Sequence, residues 1–383
     1  MRVSRLVVLG PGHPFRGGIA KTTTELVRSL IRRGHNVTFL TPLRQYPRRL
    51  YPGGDDRDPE ACPEVEGARA LLDPFAPPSW PGVRAQIRAL AGDAWIFPYW
   101  TWAWAPWWRF LLAGGSSRRC PAVAVVHNPI DHDAGVLQRL AARLVLRRCE
   151  GLFTHAASLA EGLRNAYRDG SVGSFPLPPP APFTLPGRLA ARRSLGLPEG
   201  GLVALFLGLI RPYKGVDVLL DAAARLGESS PWRFLVAGEP WGALGGELEH
   251  RVEELDLSER VRLDLGWVPE DRVPTYLAAA DLVVLPYRAG SQSAVASMAL
   301  AHGMPVLSTR VGGLPELVKD GVNGVLVPPG NPEALAAALV GLDDSRLAAL
   351  AAGARAAAGK LTWDGYAAAL EDLLARISHR LSS

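Results

Sequence analysis

Three groups of residues in this chain have the types and spacing to meet a ligand, the first two of them an anion. The first is the loop Gly290-Ser291-Gln292-Ser293, between an apolar run ending at Leu285 and a small-residue helical stretch opening at about Ser293. A strand-to-helix junction leaves backbone N–H groups without intrahelical partners, and the helix dipole adds partial positive charge, so such a loop can hold a phosphate. It could equally be an ordinary turn. The second group is Arg211 and Lys214, between the apolar run Val203–Leu207 and an amphipathic stretch beginning near Gly215. Two cations on one loop can grip a diphosphate and stabilise charge building on a leaving group. The alternative is two surface cations at a helix start, a poor place for positive charge unless an anion is met there. The third is His127-Asn128-Pro129 with Asp131, His132 and Asp133, just past another apolar run. Ligands bind at that end of the strands in parallel sheets. His155 is placed similarly after Leu152–Thr154, and could simply cap a helix.

The elements that must position these groups are short β-rich runs separated by helical patterns. The runs are Leu6–Leu9, Val37–Leu40, Ala94–Phe97, Val123–Val126 and Leu152–Thr154, then Val203–Leu207, Arg233–Ala237, Val261–Leu263, Leu282–Leu285 and Val306–Ser308. Such alternation predicts parallel sheets wound on both faces, and about ten strands are too many for one such sheet, so two are expected. A break lies at Phe175–Gly187, with six prolines in thirteen residues. Proline can neither pair in a central strand nor continue a helix, so this segment reads as a stiff linker. The expected domains are 1–176 and 188–360, joined by 177–187, with a helical tail over 361–383 that packs on either.

The first domain opens with a strand, the loop GPGHPFRGG and a helix from about Ile19 to Arg33. Gly10, Gly12, Gly17 and Gly18 let backbone approach a ligand closely. Their spacing is not G-x-G-x-x-G, which excludes the dinucleotide fingerprint. Residues Arg16–Thr24 superficially match a deviant Walker loop, but Ala20 precedes Lys21 where the tight turn around a β-phosphate needs glycine. Six of the eleven tryptophans, Trp95, Trp100, Trp102, Trp104, Trp107 and Trp108, fall within fourteen residues. About half are expected in the core, and the others could form a platform for a sugar ring or a lipid headgroup.

Composition narrows the classes further. With 48% hydrophobic and 21% charged residues in 383, the chain is that of a soluble globular protein large enough for two cores. Cys62, Cys120 and Cys149 are scattered with no paired spacing, which suggests a reducing compartment and no structural metal. The opening MRVSRLVVLGPG does not read as a signal peptide, and no apolar run of about 18 residues predicts a membrane span. Residues 1–180 hold 23 Arg and Lys against 14 Asp and Glu, whereas 181–383 hold 19 against 23. The basic half suits an anionic membrane surface or a phosphorylated acceptor. Nucleic acid is not expected, because no recognition-helix or stacking pattern accompanies the charge.

Several pieces together resemble the family 4 retaining glycosyltransferases of the GT-B fold over nearly the whole chain. They are GGIAKTTTELVRSLIRRGHNV from Gly17, the histidine at 127, the R-x-x-K-G loop at Arg211–Gly215, AGE at Ala237–Glu239, AADLVVLPY at Ala279–Tyr287, and HGMPVLSTRVGGLPELVKDGVNGVLVPP from His302. The resemblance implies an α/β protein of two Rossmann-like domains facing across a cleft, with the C-terminal helix packing back on the N-terminal one. It implies a nucleotide-sugar donor as substrate, no cofactor and no metal, and a glycan or lipid-linked acceptor. Apart from the resemblance, the scattered cysteines predict a cytoplasmic setting, and the basic half, the run Arg139–Arg148 (RLAARLVLRR) and the tryptophan cluster predict peripheral attachment to the inner face of a membrane. By the same resemblance Arg211 and Lys214 grip the donor diphosphate beside the amides of Gly290–Ser293, Gly17 and Gly18 close over the phosphates, and His127 steadies the transferred sugar. Trp100, Trp102 and His132 are the candidates for the acceptor side.

Two departures accompany the resemblance. The family's two glutamates, eight positions apart, correspond here to Gly290 and Met298, and the arginine usual after the strand glycine is Leu209. Gln292 or Ser293 is the expected substitute for the sugar contact, and Glu316 for part of the nucleotide contact. The implied chemistry is displacement of a nucleoside diphosphate by an acceptor hydroxyl. With both glutamates missing, a degenerate binding partner without turnover is the alternative. No carboxylate pair suggests a glycosidase.

Overall fold

The structure, a computed structural model, describes residues 4–46, 57, 65–113, 120–128, 136–167, 170–180 and 183–382. The chain forms two compact units, Met1–Leu177 with Thr362–Ser383, and Pro178–Leu361. Each is built on one parallel sheet.

The first unit carries β1 (Arg5–Leu9), β2 (Asn36–Pro42), β3 (Arg69–Leu72), β4 (Ala94–Tyr99), β5 (Ala122–Val126), β6 (Gly151–Thr154) and β7 (Ser171–Ser174), in spatial order 3-2-1-4-5-6-7. Its helices are α1 (Gly18–Arg32), α2 (Trp80–Ala89), α3 (Ala105–Leu111), α4 (Val136–Leu146) and α5 (Ala157–Ala166). Strand side chains alternate between two cores. Leu6 and Val8 of β1 join Leu26, Val27 and Leu30 of α1, while Val7 and Leu9 join the tryptophans of α3 on the other face. Both faces are covered, so the strands read as unbroken apolar runs rather than as alternating ones.

The second unit carries β8 (Leu202–Leu207), β9 (Trp232–Gly238), β10 (Val261–Leu265), β11 (Leu282–Leu285), β12 (Val306–Thr309) and β13 (Gly324–Val327), in order 10-9-8-11-12-13. Helices α6 (Arg188–Ser194), α7 (Val216–Ala224), α8 (Leu244–Glu254), α9 (Val273–Ala279), α10 (Ala294–Ala301), α11 (Leu314–Leu317), α12 (Pro332–Val340) and α13 (Asp344–Ala357) complete it. The last helix, α14 (Trp363–Ser382), belongs to the first unit and packs on α1, β6 and β7. Its Tyr366, Leu370, Leu373 and Ile377 are fully buried. Ile377 sits where a side chain on Gly151 would clash, at 2.5 Å from the Cβ position.

Three strands, each only four residues long, are missing from the sequence reading. β3 is an edge strand, β7 has one apolar residue among serine and glycine, and β13 is an apolar but very short edge strand. The tryptophan cluster also needs correction. Five of the six are buried, at 0 to 7% exposure, and only Trp102 is open at 49%. The interior takes so many rings because α3 and the turn before it interleave them, with Trp104–Trp108 and Phe97–Trp108 centroids 5.5 and 4.4 Å apart.

Candidate active site

In each sheet the chain reverses its winding between the first and fourth strands, and the crevice at their carboxyl ends is where such sheets bind ligands. In the second unit those strands are β8 and β11, and the loops leaving them carry both anion-handling groups. After β8 the backbone continues to pair as far as Ile210, whose N–H donates to Glu239 O at 2.8 Å. Arg211 then starts a single 3-10 turn, Pro212–Lys214. Gly215 follows at φ +66°, and a Cβ there would stand 2.2 Å from Pro286 O. Only glycine permits that approach, which sets the Lys214 loop directly against the loop after β11. The contact is fastened by Arg288, whose N–H donates to Tyr213 O at 2.7 Å and whose guanidinium pairs with Asp217.

The guanidinium of Arg211 lies 4.3 Å over the Trp241 ring, a cation–π contact that orders it without neutralising it. The Lys214 ammonium lies over the end of β8, 5.7 Å from the centre of the Tyr287 ring. Burial, reinforced by the positive charge of Arg211, pulls its pKa down to about 7. A lysine so placed gains most from an anion arriving beside it.

The loop Gly290–Ser293 comes next on β11. Ser293 is the N-cap of α10, its hydroxyl accepting from Ala296 N at 3.3 Å and lying 3.4 Å from the Tyr287 hydroxyl. Ser293 is buried, at 5% exposure, whereas Gln292 and Ser291 are half-buried. The loop after β12 holds this one in place. Gly313 N donates to Ser291 O at 2.9 Å, and a Cβ on Gly312 (φ +49°) would stand 1.9 Å from Gly290 O. Glu316 is on α11, which starts immediately after those glycines, so the structure brings its segment beside the loop. Met298 is 7% exposed on α10.

In the first unit, Gly17 precedes α1 at φ +102°, and a Cβ on Gly17 or Gly18 would meet nothing within 4 Å, so the backbone there is open to approach. Trp100 is buried and donates to the Tyr46 hydroxyl at 2.9 Å, while Trp102 is exposed on the following turn. His132 lies outside the described residues, as do Asp131 and Asp133. His127 follows β5 and is 8% exposed, its Nδ1 2.9 Å from His155 Nε2. His155 Nδ1 is in turn 3.3 Å from the Tyr366 hydroxyl of α14. Burial holds His127 well below the ordinary histidine value, with His155 adding to the effect, and burial takes His155 down to about 3. The row is therefore neutral, and a proton on one ring nitrogen sets the tautomer of the next. His155 does not cap a helix, because α5 begins after Ala156 and His155 faces inward. Tyr366 has no local signal; nothing in the sequence shows that a helix more than 200 residues away returns to His155.

Two family profiles match the chain: residues 16–171 match Glycosyltransferase Family 4, and residues 201–344 match Glycosyl transferases group 1. Together they span more than half of it. The chain belongs to the family 4 glycosyltransferases. A D-inositol 3-phosphate glycosyltransferase of Xylanimonas cellulosilytica is 40% identical over 209 residues, 53% of this chain and 49% of that protein. Its counterpart in Geodermatophilus obscurus is 35% identical over 250 residues, 60% of this chain and 55% of that one. The chain thus spans about half the length of these curated relatives. Among solved structures, sucrose-phosphate synthase from Thermosynechococcus elongatus matches with a TM-score of 0.78 at 19% identity, over 98% of this chain and 100% of that one. HepE of Anabaena, in complex with UDP, matches with a TM-score of 0.71 at 20% identity, over 99% of each chain. At such identities the likeness is one of fold, GT-B with two Rossmann-like domains. In this family 4 chain no group of three or more His, Cys, Asp or Glu could hold a metal ion among the described residues.

Proposed function

We propose that this protein moves a sugar from a nucleotide-sugar to an acceptor hydroxyl, with retention, in glycan, polysaccharide or glycolipid synthesis in the cytoplasm. The observation that carries the reading is the pairing of Arg211 and Lys214 with the loop Gly290–Ser293 on adjacent strands. Two cations and a helix N-terminus at one end of a sheet suit a diphosphate, and they neutralise the charge that grows as it departs. The acceptor oxygen bonds to the anomeric carbon as the carbon–phosphate-oxygen bond breaks. Retention keeps both groups on one face, so the departing diphosphate can take the acceptor's proton. Neutral His127 steadies the sugar, and Gly17 and Gly18 offer backbone N–H groups to the phosphates.

The missing glutamates shape the rest. The half-buried Gln292 is our first candidate for the sugar contact, with Ser293 the alternative, and Glu316 is the candidate carboxylate for the nucleotide. Trp102 and His132 remain the acceptor candidates, with Trp100 supporting from the core. Gly290 and Met298 in place of carboxylates also favour a second reading, a transferase-like protein that binds donor without turning it over.

Calorimetry with UDP-, GDP- and ADP-sugars followed by transfer and hydrolysis assays tests both. We expect one donor series to bind, with Arg211→Ala and Lys214→Ala each lowering transfer at least a hundredfold, on the scale of losing one transition-state charge contact, while the melting temperature is kept. Full activity in both variants would remove the assigned roles, and tight binding without turnover would favour the second reading.

A further inference from the structure

The described residues include eleven exposed large apolar side chains, and four of them, Val136, Leu137, Leu140 and Leu144, sit on α4. Their exposures are 82, 79, 50 and 47%. Spacings of three and four residues set them along one stripe of the helix, while Ala142, Val145 and Leu146 on the other side are buried in the core. A helix at the surface of a water-soluble unit would ordinarily turn charge outward there. Instead Arg139 and Arg143 stand beside the leucines four residues apart, Arg147 continues the row past the helix end, and α4 carries no acidic residue. The exposed Trp102 belongs to a turn that packs against α4. An apolar stripe, a row of arginines and an open indole together are the composition of a surface that lies in a lipid headgroup layer.

We propose that the outward face of α4, with Trp102 beside it, docks on a bilayer surface containing anionic lipid. Charge selects the occupant. A second copy meeting this face about a two-fold axis would bring arginine row against arginine row with no carboxylate on the helix to offset it. A bilayer takes the leucines into its acyl boundary while its phosphates meet the guanidinium groups. The proposed contact is peripheral, one helix face lying in the interface, and no helix among the described residues is long and apolar enough to cross a membrane. The inference stands apart from the transfer reading, because lipid binding is measured without donor or acceptor.

The test is flotation of the full chain with vesicles of phosphatidylcholine, alone or with about one-third phosphatidylglycerol, at low and high salt. We expect binding to the anionic vesicles, little to the neutral ones, and weakening by salt. Leu140→Glu with Leu144→Glu should lower partitioning at least tenfold. Arg139→Ala with Arg143→Ala should lower it about thirtyfold on anionic vesicles and leave the neutral ones unchanged. All four positions are exposed, so both variants should keep the wild-type melting temperature. Absence of wild-type binding to anionic vesicles overturns the proposal, as does undiminished binding by both variants. A concentration-dependent dimer that the leucine variant abolishes, with no vesicle binding, would assign the face to a second copy instead.

Discussion

At the scale of single residues, Lys214 is the group whose chemistry depends most on its surroundings. With its pKa lowered to about 7 by burial and by Arg211, the free site holds a full ammonium below that pH and loses it above. A bound diphosphate favours the ammonium, so nucleotide binding at pH 8 should take up a proton, and affinity should fall as pH rises through 7. Calorimetry in two buffers of different ionisation enthalpy reads that proton, and Lys214→Met should abolish the uptake. His127 raises a different question. If the Tyr366 hydroxyl donates to His155 Nδ1, then His155 Nε2–H donates to His127 Nδ1, and His127 presents an N–H from Nε2. Tyr366→Phe removes the hydroxyl while keeping the ring and its packing. We expect kcat to fall several-fold with donor affinity unchanged, and stability to drop by about 1 kcal/mol, the usual worth of one hydrogen bond. An unchanged kcat would detach α14 from the behaviour of His127.

At the scale of elements, the site in the second unit is three loops leaving β8, β11 and β12, held at backbone contact by glycines. Gly312 illustrates what that requires. Its positive φ costs a side-chain-bearing residue about 1–2 kcal/mol, and a Cβ would also overlap Gly290 O. Gly312→Ala should therefore displace the loop Gly290–Ser293 and weaken nucleotide binding more than tenfold, while the melting temperature drops by only a few degrees. Titration of both variant and wild type with a nucleoside diphosphate checks this. Equal affinity would mean that the loop amides do not contact the phosphates.

At the scale of the whole molecule, the chain leaves its first unit near residue 177 and returns to it at 362, so α14 closes a core begun more than 300 residues earlier. The return is fastened by polar contacts as well as by Leu370 and Leu373. Glu371 accepts from Arg33 Nε at 2.6 Å and lies 3.0 Å from His35 Nε2, and Asp364 accepts from Ser29 Oγ at 2.6 Å. Burial alone would raise the Glu371 carboxyl, but hydrogen bonds from Arg33 and His35 outweigh it and hold the group below its ordinary value. Its contribution is then present above the usual carboxylate range and lost as pH falls through the lowered value. Glu371→Gln should be less stable than wild type at pH 7, with the gap closing below about pH 4. Urea melts across that range measure it, and parallel curves would refute the coupling.

Local sequence determined much of this protein. Apolar runs bounded by glycine and proline placed ten of the strands, because strands covered on both faces are apolar at most positions. The anion-handling residues Arg211, Lys214 and Gly290–Ser293 were legible for a related reason: ligands meet parallel sheets at strand ends, and strand ends are visible in sequence. What tertiary structure decided are matters of contact between distant segments. It buried five of six clustered tryptophans, bound the Ser293 hydroxyl into a cap, and drew His155 and Tyr366 together behind His127. It also left the leucines of α4 uncovered, since periodicity says that a helix has an apolar face but only the packing around it says whether that face is hidden.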